Sequence, residues 1–147
     1  MLLRNENGVL PLAAGTRVAV FGRSQFNYYK SGTGSGGLVN TAYVTGILDA
    51  LEADEDLEVD QGVKAIYEEW LKEHPFDAGS GMGFRTPWHQ EEMPLASLDA
   101  ASGQGRARTR LCVVIGRTAG EDQDNKAEAG SYYLTDTRRD DRAGLRR

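Results

Sequence analysis

The stretch LCVVIGRTAGEDQDN, residues 111–125, decides how the rest of the chain is read. Its first five residues are apolar and mostly suited to strands. They predict a strand buried on both faces over 111–115, as in a parallel sheet. Glycines then break the run and an acid cluster follows at once. Open α/β sheets bind their ligands beyond the carboxyl ends of the strands, so Glu121 falls where chemistry is expected. A carboxylate partly desolvated in such a crevice can hold its proton to higher pH and donate it. The competing reading is a polar turn leading into the next helix.

Working outward, 147 residues make one domain. A net charge of −5 argues against a general nucleic-acid or membrane-surface binder, so neither partner is expected. The single cysteine, Cys112, lies inside the apolar run, cannot close an internal disulfide and is an unlikely nucleophile. No signal-type apolar segment opens the chain and no run approaches a membrane span, so a soluble, cytoplasmic protein is expected.

Residues 1–12 read as a lead-in packed on a sheet edge. RVAVF, residues 17–21, predicts the first strand, closed by Gly22. A polar and aromatic loop follows over 24–37. Asn40 or Thr41 then caps a helix whose apolar face runs through Val44, Ile47, Leu48 and Leu51. The acid-rich segment 52–60 reads as a solvated turn with a short strand at 57–59 and no function. Val63, Ile66, Tyr67, Trp70, Leu71 and His74 share one helical face, and Pro75 stops that helix. Trp70 is expected in the core and His74 as a helix-end residue, either capping or compensating the dipole. Segment 76–94 loses regular pattern but carries Phe84, Trp88 and His89, which leaves a functional loop and a self-packed lid equally open. Segments 100–110 and 137–147 are arginine-rich and have no apolar stripe.

Three motif readings fail on their own chemistry. Gly32, Gly34 and Gly37 have the G-x-G-x-x-G spacing, but they follow the first strand too late to form a dinucleotide turn. Asp122, Asp124 and Asn125 imitate a calcium loop, yet Ala127 replaces its glycine and Tyr133 its glutamate. Two distant histidines and one cysteine make no zinc set. One carboxylate cluster remains, without an evident second carboxylate for a two-acid hydrolysis.

Taken together, LLRNENGVLPL (2–12), RVAVFG (17–22), YYKSGTGSGG (28–37), HPFDAGSGMG (74–83), PWHQEEMPL (87–95) and VVIGRTAGEDQDN (113–125) resemble glycoside hydrolase family 3, the β-glucosidase group. The likeness is to that family's α/β sandwich domain, and the wording of these motifs is similar to members whose sandwich precedes the barrel. It implies a flavodoxin-like three-layer α/β sandwich with a mainly parallel sheet, incomplete here, over residues 1–136, followed by a loose tail over 137–147. It also implies a retaining β-glucosidase fragment acting on terminal β-glucosyl residues of a glucoside or oligosaccharide. A (β/α)₈ barrel domain absent from this sequence would supply the aspartate nucleophile, no cofactor or metal would be needed, and the isolated chain would be inactive. In the G-E-x-x-D segment the resemblance makes Glu121 the acid/base and Asp124 the aspartate. Gly34 and Ser35 of the glycine-rich loop would line the sugar site and Trp88 would stack on it. The chain departs from the family where Asn125 replaces a frequent arginine and where helices are usual at 100–110 and near 137. The alternative class is a non-catalytic α/β binding or interaction module.

Overall fold

The computed structural model describes residues 2–28, 39–79, 90–94, 109–117 and 124–135. Three parallel strands, in the order β2-β1-β3, form its centre. Strand β1 (Thr16–Phe21) pairs Val18 with Val59 of β2 (Leu57–Val59) and Val20 with Cys112 of β3 (Thr109–Val113). With a neighbour on each side, β1 buries residues of both faces: Val18, Ala19, Val20 and Phe21 are all inside. Each of its larger side chains gains roughly 1.5–3 kcal/mol from that burial. Ala19 and Phe21 share one face and join Val63, Tyr67 and Met93 in the core cluster. The arrangement is the open α/β class expected, and β1 begins one residue earlier than its apolar run.

The described α-helices are α1 (Ile47–Glu52) and α2 (Gln61–Glu73). Asp60 caps α2, its Oδ1 accepting from the N–H groups of Gly62 at 3.0 Å and Val63 at 3.1 Å. Val63 and Tyr67 are buried, with Ile66 and Trp70 packed beside them, as their shared helical face requires. The backbone N–H of His74 closes the helix onto the Trp70 carbonyl, and Pro75 cannot extend it.

Four expectations are corrected. The apolar run after residue 110 is not buried on both faces. Leu111, Val113 and Ile115 are 39%, 38% and 43% exposed. Among the described residues β3 pairs only with β1, so it lacks the second flank that closes over β1. The strand also begins at Thr109, drawing the last two residues of the arginine-rich segment into the sheet. Helix α1 starts at Ile47 rather than near Asn40, because the Asp49 carboxylate accepts the Gly46 N–H at 2.8 Å and fixes the first turn there. Val39, Tyr43 and Val44 stay exposed outside it. Residues 2–11 are exposed rather than packed on a sheet edge, and the Asn5 side chain brackets Leu10 instead, bonding its carbonyl and its N–H. Finally, the acid-rich segment is not wholly solvated, since Asp60 is a buried cap.

Candidate functional site

The carboxyl end of β1 is built around one glycine. Gly22 has φ +95°, and a Cβ there would lie 2.1 Å from the Val114 carbonyl oxygen. No side chain fits. The closeness follows from the sheet itself, since the Val114 N–H donates to the Phe21 carbonyl at 2.8 Å and carries pairing past the end of β3. The Gly22 N–H in turn donates to the Tyr67 hydroxyl at 2.9 Å, fastening the strand end to α2.

A short 3-10 turn, Arg23–Gln25, follows and is wholly buried. Arg23 is 1% exposed, and its guanidinium donates to the carbonyls of Glu91 and His74, each at 2.9 Å. Its backbone N–H donates to the Glu92 carboxylate at 2.9 Å, and the guanidinium carbon lies 5.5 Å from the centre of the Trp70 ring. The His74 ring stacks on Trp70 at 4.3 Å with planes 13° apart, and its Nδ1 pairs with Glu91 at 3.0 Å. Asp77 and Gln90 add a reciprocal pair, N–H to Oε1 at 2.7 Å and Nε2 to carbonyl at 2.9 Å. The end of α2 and segment 90–94 are thus one brace closed on Arg23. Its several satisfied hydrogen bonds are what permit so buried a cation. Sequence reasoning missed Arg23, because a lone arginine after a strand carries no local pattern.

Beyond β3, the Arg117 guanidinium donates to the carbonyls of Ser131 and Tyr132. That ties the end of the strand to a self-bonded knot over residues 124–135. Within the knot the Ser131 hydroxyl accepts from the Lys126 N–H at 2.9 Å and donates to Asn125 Oδ1 at 3.3 Å. Asp124 stands exposed at its entrance. Glu121, Trp88, Gly34 and Ser35 lie outside the described residues, so Asp124 is the one expected site residue with a described position. No group of three His, Cys, Asp or Glu among the described residues could hold a metal. Burial pushes the Cys112 thiol up from its ordinary value, which disfavours the thiolate. None of the described helices is long and apolar enough to cross a membrane.

Next to the Arg23 brace, which Asn27 touches, Phe26, Asn27, Tyr28, Val44, Asp49 and Phe76 line a cleft of about 350 Å³. Three separate parts of the chain meet there: the segment after the 3-10 turn, the start of α1 and the segment after α2.

Such a molecule is an open parallel α/β domain whose glycine-tight rim lies at the strands' carboxyl ends. The sequence profile of the glycosyl hydrolase family 3 C-terminal domain matches residues 1–140, and the chain belongs to that family. It is 51% identical over 131 residues to a beta-glucosidase of Ruminococcus albus, covering 89% of this chain and 14% of that protein. The structure is similar to that of a beta-glucosidase from Paenibacillus barengoltzii, with a TM-score of 0.82, 47% identity and coverage of 95% of this chain and 15% of the other. Beta-glucosidase 3B from Thermotoga neapolitana, solved with glucose, is similar at a TM-score of 0.68 and 26% identity, over 95% of this chain and 19% of that one. The chain therefore spans less than a fifth of each of these relatives.

Proposed function

We propose that this chain is the acid/base half of a retaining β-glucosidase site, with Glu121 as its proton donor. The observation that carries the reading is the 51% identity with a beta-glucosidase, which extends over 89% of the chain. The rim chemistry agrees with it. Arg117 and Asp124, on either side of Glu121 in sequence, both follow β3, and open α/β sheets keep their ligands at the carboxyl ends of the strands.

The first step joins C1 of the glucosyl unit to an aspartate carboxylate as the glycosidic C1–O bond breaks. Glu121 gives its proton to the departing oxygen. In the second step Glu121, now a carboxylate, takes a proton from water while the water oxygen attacks C1 and releases the aspartate. Retention needs the two carboxyl groups about 5–5.5 Å apart. The aspartate comes from a (β/α)₈ barrel domain, with Asp124, Gly34 and Ser35 contacting the sugar and Trp88 stacking on it.

The test replaces the matching segment of the Ruminococcus albus relative with this chain. Glu121→Gln in that chimera lowers kcat on an alkyl β-glucoside by about 10²–10⁴-fold, the usual worth of a positioned proton donor. The loss is smaller with an aryl glucoside whose leaving group needs no proton. A Glu121→Gln chimera as active as its parent on both substrates refutes the assignment. The 147-residue chain alone turns over neither substrate.

A further inference from the structure

The cleft beside the Arg23 brace has no part in the reaction derived above, yet it has the make-up of a binding site. Its volume of about 350 Å³ falls within the usual range for small-molecule pockets, and three aromatic residues, Phe26, Tyr28 and Phe76, line it together with Val44. Among the described residues, Asn27 and Asp49 add polar side chains to that lining beside the Tyr28 hydroxyl, and the protein orients both. The Asn27 Oδ1 accepts from the Arg23 guanidinium at 3.4 Å, which turns the amide so that its NH₂ remains as a donor. The Asp49 Oδ2 accepts from the Gly46 N–H at 2.8 Å, leaving the other oxygen as an acceptor. Gly46 lies in the lining without a side chain. A Cβ there would lie 3.2 Å from Asp49 Oδ2 and 3.5 Å from the Tyr28 Cβ.

We infer that this cleft binds the ring of a neutral pyranoside. One fixed donor and one fixed acceptor suit adjacent hydroxyl groups, each of which both donates and accepts. Aromatic walls suit the C–H face of a sugar ring. Among the described residues of the lining the only charged side chain is the Asp49 carboxylate, which disfavours an anionic ligand such as a sugar phosphate. The inference rests on the chain being a carbohydrate-handling domain, but it does not need Glu121 to be the proton donor.

The experiment titrates methyl β-D-glucopyranoside into the ¹⁵N-labelled 147-residue chain and follows the Asn27 side-chain amide and the Gly46 N–H. Both resonances shift saturably. Asn27→Ala and Phe76→Leu each weaken binding about three- to tenfold, as expected for one lost hydrogen bond or wall contact. Glucose 6-phosphate binds more weakly than the neutral glucoside. No saturable shift at Asn27 and Gly46 overturns the inference, as does a response to phenol without one to the glucoside, or unchanged affinity in Phe76→Leu. If Asn27→Ala loses its dispersed spectrum, Phe76→Leu decides the matter. The chimera result for Glu121→Gln stands or falls separately.

Discussion

Strands β1 and β3 carry similar apolar letters and lie side by side, yet they meet different surroundings. VAVF of β1 is buried throughout, while LCV of β3 leaves Leu111 and Val113 more than a third exposed. Composition does not separate them. What does is the number of flanks: β1 has a paired strand on both sides and the core of α2 and Met93 against one face. An apolar run therefore states that a strand can be buried, and the neighbours decide whether it is.

The sharpest break of that contrast is at the junction of the two strands. Gly22→Ala sets a methyl against the Val114 carbonyl in a backbone conformation that L side chains avoid. Strain and overpacking together cost about 4–6 kcal/mol, enough to erase the urea unfolding transition of a marginal domain. Gly8→Ala is the control. Gly8 has φ +62° but nothing within 4 Å of its Cβ position, so only the conformational cost of about 1–2 kcal/mol applies. Equal losses at the two glycines would mean that the approach of β3 to Gly22 does not persist in solution.

A smaller effect tests the flanks themselves. Phe21→Ala, inside the core cluster, lowers stability by about 3–5 kcal/mol. Leu111→Ala, from a side chain already 39% exposed, costs roughly half of a buried leucine's loss, about 1–2 kcal/mol. Urea midpoints at unchanged slope measure both. A Leu111 loss matching that of Phe21 would mean that β3 is covered in solution as β1 is.

The same contrast explains what was legible in the sequence. Strands β1 and β2 and helix α2 follow from periodicity, because their cores are local: Val63 and Tyr67 one helical turn apart, Ala19 and Phe21 two residues apart. The start of α1 did not, because a single carboxylate, Asp49 on Gly46, outweighed a longer apolar spacing. The Arg23 brace joins residues about seventy positions apart and leaves no periodic trace. Asp60 was hidden among acids that look alike in sequence, although its two backbone bonds make it a cap. Glu121 was picked out by its place after a strand and by resemblance, and both are statements about sequence.

The weakest of these contacts has its own pH signature. Lys64 on α2 donates to Glu52 of α1 at 2.5 Å, joining the two helices across the acid-rich turn. That hydrogen bond, with the surrounding carboxylates, raises the lysine above its ordinary pKa of 10.5, against a smaller opposing effect of burial. A group whose pKa is raised by folding contributes its stability in full below the unfolded value and loses it as pH rises through the folded value. The pair is solvated at its edge, so a double-mutant cycle with Glu52→Gln and Lys64→Met gives a coupling of about 0.2–1 kcal/mol at pH 7. The coupling persists to pH 9 and fades above roughly pH 10.4, where the lysine of the unfolded chain is already losing its proton. A coupling that instead weakened between pH 7 and pH 9 would mean that the charge on Lys64 is not what holds α1 to α2. The acid-rich turn would then be as solvated as its letters suggest.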